Sequence, residues 1–467
     1  MLNHSDILLP VDSKTLEIAR RLYKSVSQLP IISPHGHVNP AWFSLNKPFN
    51  DAAELFVIPD HYVLRMLISQ GTHPKNLGMK YKKTSNDPER NRMIWREFCR
   101  GYDLFRGTPS RFWLDYAFGN LFDMTERPSI NNADKLFDII GDKLRKPEFR
   151  PRALFDRFNI EVLATTEDPL DQLNHHELIH NSEWSGRVIT TYRPDNLTDP
   201  EYENFCTNVE KLGELTGCDT LNWKGFLEAH RIRRAYFRRF GATATDHGHP
   251  SARTENLSFN EASTLFSKTL TGKIDSMEAE VFRGQMLTEM AEMSVEDGMV
   301  MQLHPGAWRN HSPYIYSRYG RDKGFDIPKP TDYVNALKPL LNRFGHQKNF
   351  LLVLFTLDEA SLSRELAPLA GAYPCLKLGP SWWFYDSPDG MRRFRKLTTE
   401  TAGFYNTVGF NDDTRALCTI PARHDMTRRI DCGYLAELVA SHVLQEEEAH
   451  QIAQDLTHGL AKKTYRL

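Results

Sequence analysis

Two imidazoles spaced two residues apart stand near the start of the chain, in His35-Gly36-His37. On an extended segment residues i and i+2 project to the same side, so both rings could grip one ion, with Gly36 leaving room beside them. Imidazole suits zinc and several other transition metals. The spacing alone describes equally well two surface or hydrogen-bonded histidines. Near the other end lies Asn411-Asp412-Asp413-Thr414-Arg415. Asp413 could complete a His/His/Asp set that keeps one coordination position open for water or a substrate oxygen. An Asp-rich turn capping the next helix is the plain alternative. Asp413 and Arg415 are again i and i+2 and would face one side, with Asp412 turned away.

Further groups could complete a pocket. His304, in Met301-Gln302-Leu303-His304, suits a ligand, an acid–base group or a hydrogen-bonded core residue; His247 carries the same ambiguity. Arg193, Arg309 and Arg415 each stand beyond an apolar run. A guanidinium binds carboxylates through paired hydrogen bonds and stays charged, so three of them at one mouth favour an anionic substrate. A salt bridge to a neighbouring acid is the ordinary role of any single one. Trp382 and Trp383 offer faces that suit sugar C–H surfaces, or plain core packing.

Something must bring these distant groups together. Short apolar or β-branched runs recur at 30–33, 161–164, 187–191, 242–245, 299–303, 350–355, 375–378 and 407–410, most of them separated by helical patterning. Strand–helix alternation signals parallel βαβ units, and about eight such units close a barrel. The expected fold is therefore α/β: a (β/α)8 TIM-type barrel spanning 1–467 as one domain. In such a barrel the C-terminal strand ends, where these residues stand, gather on one face. A helix over 12–28 precedes the first run, with Asp12 or Ser13 as its cap. More than a hundred residues separate the first two runs, far more than one βα connection needs. Segment 40–155, with helical stretches at 51–70 and 87–102, reads as a large helical insertion after strand 1 that covers the mouth and adds residues to the site.

Composition narrows the function classes. Fifty-eight basic and 60 acidic residues leave a net charge of −2, so no basic field draws the chain to nucleic acid or an anionic membrane. No apolar run approaches the roughly 18 residues expected of a membrane span, and the N-terminus lacks the pattern of a secretory signal. The six cysteines show no CxxC spacing and read as scattered thiols of a cytoplasmic protein.

In their order, these motifs resemble the uronate (glucuronate) isomerase family of the amidohydrolase superfamily. The likeness runs nearly end to end. It takes in His35-Gly36-His37, Pro59-Asp60-His61-Tyr62-Val63-Leu64-Arg65, Thr165-Thr166-Glu167-Asp168-Pro169 and Tyr192-Arg193-Pro194-Asp195. It continues through Asp246-His247-Gly248, Met301-Gln302-Leu303-His304, Trp382-Trp383-Phe384-Tyr385-Asp386, Asp413-Thr414-Arg415 and Arg423-His424. The resemblance implies reversible conversion of D-glucuronate to D-fructuronate and of D-galacturonate to D-tagaturonate. It implies His35, His37 and Asp413 as ligands of a divalent metal, zinc foremost. It also implies Tyr62, Arg193 and Arg415 as substrate or catalytic residues. Asp413, Tyr62 and Arg415 are the expected catalytic set, and Arg193, His61, His304, Arg309, Trp382 and Trp383 the expected substrate contacts. The chain departs from the family pattern at Ser33 and Gly36, where many members carry Asp and Cys, at Glu167, where Asp is more usual, and at His311, where Asn is frequent.

The implied reaction moves a proton from C2 to C1 through a cis-enediol. Asp413, or a group it activates, is the expected base; Tyr62 or Arg415 would polarise the sugar oxygens, and Arg193 would hold the C6 carboxylate. The expected partner is a small-molecule uronate, with no nucleic acid or membrane, and the expected assembly a homo-oligomer. The competing reading is a metal-dependent amidohydrolase acting on an anionic substrate. Against it, the third run ends in Tyr192-Arg193 and offers no Lys or Glu to bridge a second metal. A catalytically dead sugar-acid sensor stands further behind, for want of any DNA-binding motif.

Overall fold

The computed structural model describes residues 2–79 and 87–467. Seven strands form one parallel sheet: β1 (Ile31–Ser33), β2 (Ile160–Glu167), β3 (Val188–Tyr192), β4 (Ala244–His247), β5 (Val300–Leu303), β8 (Leu352–Leu354) and β9 (Leu376–Leu378), adjacent in that order. Nearly every residue of these strands is buried, which is why they read as apolar runs rather than as alternating ones. A two-stranded antiparallel ribbon, β6 (Ala307–Trp308) with β7 (Ile327–Pro328), stands apart between β5 and β8. No apolar run announced it.

The eighth expected strand, 407–410, is reduced to one parallel bridge between Thr407 and Leu378. The backbone explains the short contact. Gly409 has φ +77°, outside the extended region, so the ladder cannot continue past it. A Cβ at Gly409 would also stand 2.7 Å from the carbonyl oxygen of Leu456. The sheet is curled, and chain beyond its two edges meets at the His37 amide, which donates to the Thr414 carbonyl at 2.9 Å.

The first helix, Ser13–Val26, starts where its cap requires: the Asp12 carboxylate accepts from the Thr15 amide at 3.0 Å. Its Ile18, Ala19, Leu22 and Val26 face Leu435 and Ala436 of the long helix Ile420–Ala440. Between β1 and β2 the described chain is helical and gathers its own apolar cluster around Trp95, Phe98 and Phe118; residues 80–86 of that stretch lie outside the described residues. The helix expected over 51–70 is two helices, Ala52–Phe56 and His61–Ser69. Pro59 lacks an amide proton, and Asp60 begins the second helix by accepting from the amides of Tyr62 at 2.8 Å and Val63 at 3.2 Å. That cap sets His61 and Tyr62 in a first turn facing the sheet ends. The helix expected over 87–102 is Pro88–Arg100. No helix among the described residues is long and apolar enough to cross a membrane.

Candidate active site

A cavity of about 960 Å³ opens beyond the C-terminal ends of the parallel strands. All eleven residues singled out from the sequence for metal, substrate or catalysis line it.

At the end of β1, His35 is buried and His37 is partly open. Their rings lie edge to face, 5.3 Å apart. Asp413 arrives from beyond the last run: its Oδ1 lies 3.2 Å from His37 Nε2 and 3.6 Å from His35 Nε2. A tetrahedral ion with the usual nitrogen and oxygen bond lengths sets ligand atoms about 3.3 Å apart, so this donor set fits a divalent metal. Burial holds the His35 imidazole down to about 4, against the pull of Asp246 and Asp413, which keeps it neutral and able to ligate. Burial works against a charge on Asp413 too, but His35 and His37 outweigh it and hold the carboxyl well below the usual carboxylate range. Asp413 has φ +37°, a backbone state that Asp tolerates better than most residues.

Asp246, at the end of β4, is the site residue to which sequence reasoning gave no role. Fully buried, it accepts from His304 Nδ1 at 2.6 Å and from Arg193 Nη1 at 2.8 Å, and lies 3.8 Å from His35 Nε2. With His35 and His304 it makes a second group of donor atoms that shares His35 with the first. Alternation along the strand is the signal that could have found it. Side chains two apart share a face, so Asp246 points inward, while His247 points the other way, toward Thr245 Oγ1 at 3.0 Å. The sequence reading ended this strand at 245, one residue short of that distinction. His304 stacks on Phe355 with ring centres 3.9 Å apart, and its Nε2 has no hydrogen-bond partner among the described residues.

The arginines are not equivalent. Arg193 donates Nε to Asp195 at 2.9 Å and Nη1 to Asp246; Arg309 donates Nη1 to Asp326 at 3.0 Å and lies over Trp383. Their remaining Nη2 atoms converge above Gly248, where a Cβ would stand 2.2 Å from that of Arg193 and 3.0 Å from that of Arg309. Two cations over one glycine make a cradle for an anion. Arg309 and Asp322 come from the β6–β7 ribbon, and despite burial Arg415 first, then Arg309 and Arg193, help hold the Asp322 carboxyl below its ordinary range.

On the opposite wall His61 stacks on Tyr62 at 4.7 Å. Burial pushes the His61 imidazole down to about 3, Arg415 adding to the effect, and burial raises the Tyr62 phenol above its ordinary value. Tyr62 therefore keeps its phenolic proton at neutral pH and can donate a hydrogen bond. Trp382 is buried against His304, and Trp383 faces His61.

Asp412 turns away from the two histidines, as expected, but into the protein rather than to solvent: its Oδ2 accepts from His424 Nε2 at 3.0 Å. His247 and His249, with Asp195, form a third group of potential donors. The Asp195 oxygens already accept from the Gly248 amide and Arg193, so we assign that group to the wall.

The glucuronate isomerase family model matches residues 10–465. A uronate isomerase of Mesorhizobium japonicum is 57% identical over 466 residues, covering 100% of this chain and 99% of that protein. The crystal structure of glucuronate isomerase from Caulobacter crescentus superposes with a TM-score of 0.97 at 54% identity, covering 100% of this chain and 97% of that one. The uronate isomerase structure from Thermotoga maritima does so with a TM-score of 0.92 at 28% identity, covering 100% of both chains.

Proposed function

The chain belongs to the glucuronate isomerase family, and from that premise we propose how its cavity interconverts an aldose and a ketose. Its activity is uronate isomerisation. For the substrates we propose D-glucuronate with D-fructuronate and D-galacturonate with D-tagaturonate. The observation that carries the reading is a polarity across the cavity: two guanidinium Nη2 atoms meet over Gly248, while the His35, His37 and Asp413 group stands at the β1 end. The first suits a C6 carboxylate and the second the C1–C2 end of the same open-chain sugar.

In this reading Arg193 and Arg309 bind the carboxylate. His35, His37 and Asp413 hold a divalent metal, for which we propose zinc; bound there, the ion supplies Lewis-acid polarisation of sugar oxygens. Asp413 Oδ1 is the oxygen turned to both imidazoles, which leaves Oδ2, or a group it activates, to take the proton from C2. The base, whose proton exchanges with water, returns one proton at C1 while a hydroxyl proton passes from O2 to O1, so the product is an isomer and nothing is consumed. Tyr62, kept protonated by burial, and Arg415 stabilise the charge that develops on O1 and O2 of the enediol. Arg415 is suited to this because it makes no hydrogen bond or ion pair with any described residue. His61, His304, Trp382 and Trp383 shape the pocket around the sugar and exclude water.

The same reading takes the curled sheet as an eight-unit barrel with 407–410 at the last strand position, and 1–467 as one domain with 40–155 as a helical insertion. Tyr62 supports the latter, since it comes from that segment to the cavity wall. We also propose a cytoplasmic homo-oligomer. All six cysteines are free thiols, as a reducing compartment allows.

Incubation with D-glucuronate and with D-galacturonate in deuterated water tests the assignment, read as ketose formed and deuterium gained at carbon. One observation favours a second reading: Asp246 and His304 set a second donor group beside the first, as a binuclear hydrolase would need. Arg193 Nη1, 2.8 Å from Asp246, opposes it, because a fixed cation there repels a second metal. Hydrolysis of an amide or lactone without ketose would reverse the order of the two readings.

A further inference from the structure

We propose that Arg423 is a positioning residue of the isomerisation, setting Asp413 and Tyr62 in register with one another across the cavity. The inference rests on the roles proposed above for those two residues. It starts from the loop: Asp413 has φ +37°, and a non-glycine residue keeps such a state only where its surroundings hold it. They hold it on both sides. After Asp413, the Thr414 carbonyl accepts from the His37 amide at 2.9 Å and the Thr414 hydroxyl from the Ala416 amide at 3.0 Å. Before it, Asp412 is buried; Oδ2 takes the hydrogen bond of His424, and its carbonyl oxygen that of Arg423 Nη1 at 3.4 Å.

Arg423 reaches further than the loop. The same Nη1 donates to Asp386 Oδ2 at 2.8 Å, on the segment that carries Trp382 and Trp383. Its guanidinium carbon lies 3.6 Å from the centre of the Trp113 ring and 5.7 Å from that of Tyr62, both from the helices between β1 and β2. Tyr62 and Trp113 in turn meet edge to face at 5.9 Å. One buried cation, 2% exposed, thus touches three separate stretches of chain: the Asp413 loop, the tryptophan segment and the helices bearing Tyr62. A planar guanidinium can bond in its plane and stack on its face at once; an ammonium cannot. The base and the phenol come from opposite ends of the sequence, so a shared brace decides whether both reach the same sugar.

The test is steady-state kinetics on purified, metal-loaded Arg423→Met and Arg423→Lys variants, with D-glucuronate and its C2-deuterated form. Misplacing reacting groups by a fraction of an ångström to an ångström costs up to about 100-fold in rate. The expected loss is on that order in kcat for Arg423→Met and about tenfold for Arg423→Lys, with KM changed less than about threefold. The isotope effect on kcat should rise in both, because proton transfer becomes more fully rate-limiting. A merely structural residue would lower the folded fraction and leave kcat per folded site and the isotope effect alone. If Arg423→Met does not fold, Arg423→Lys decides, since it keeps the charge and most of the volume. Wild-type kcat and isotope effect in the folded lysine variant would overturn the proposal. The roles of Asp413 and Tyr62 fail separately, through undiminished turnover by Asp413→Asn and Tyr62→Phe with Arg423 intact.

Discussion

Asp413 Oδ1 lies 3.2 Å from His37 Nε2, although 376 positions separate the two residues in the sequence. The contact is made where the chain beyond the last run returns to the first strand, and the His37 amide bonds the residue next to Asp413. The donor group therefore forms only when the two edges of the sheet come together.

Asp413→Asn should lower kcat by about 1,000-fold, the scale of a lost general base. Asn tolerates a positive φ nearly as well as Asp, so the backbone should hold and the melting temperature should fall no further than removal of the ion lowers it. Near-normal turnover of either uronate by this variant would remove Asp413 from the chemistry.

Exhaustive chelation should strip the ion proposed for His35, His37 and Asp413 and lower both activity and melting temperature, since a ligand that binds only the folded state stabilises it. Zinc should restore both. Metal content measured by mass spectrometry should also fall in His37→Asn. A metal-free preparation with full activity would leave the ion a structural part at most.

Arg193→Met and Arg309→Met should each raise KM for a uronate by about 10- to 100-fold, because a hydrogen bond to a charged group contributes about 1.5–3 kcal/mol. The comparison substrate is a neutral aldose of the same carbon count. Equal losses on both substrates would show that the two guanidiniums do not read the carboxylate. Gly248→Ala should mimic the double loss, since its Cβ would meet Arg193 Nη2 and Asp195.

Glu167, on the cavity wall, is pushed up to about 8 from an ordinary 4.5 by burial, against the hydrogen bonds of Thr190 and Thr165. Above pH 4.5 the unfolded chain releases this proton while the folded chain keeps it until about pH 8. The folded state then binds more protons, so Glu167 costs stability as pH rises across that window, and the cost is constant above it. Glu167→Gln should match the wild type near pH 4 and exceed it increasingly toward pH 8. Chemical denaturation at several pH values reads the difference; a gap independent of pH would place the carboxyl in its ordinary ionised state.

Much of the site was legible in the residues themselves. The His35–His37 spacing, the acidic loop at Asp413 and the arginines after apolar runs all report strand ends, because strand periodicity and strand-end chemistry are local properties. The helix at 13–26 and seven of the eight strands follow from the same local rules. Three features escaped for a common reason. Asp246 depends on which face of β4 it occupies, and the parity is lost if the strand is ended one residue early. The split of 51–70 depends on whether Asp60 caps a new helix or sits inside an old one. The β6–β7 ribbon pairs two residues with two, too few to leave an apolar pattern.

Residue types and their order along the chain carry the reaction family, the alternation of strands and helices, and the donor types available for a metal and a carboxylate. Which donors meet is set by the folded chain: Asp413 with His37, Arg193 with Asp246, and Arg193 with Arg309 over Gly248. It also left Arg415 with no hydrogen bond or ion pair among the described residues and drew Arg423 under Tyr62. Side-chain type is a property of one residue, whereas a distance between residues hundreds of positions apart is set by how the whole sheet curls and by what its buried polar groups must satisfy.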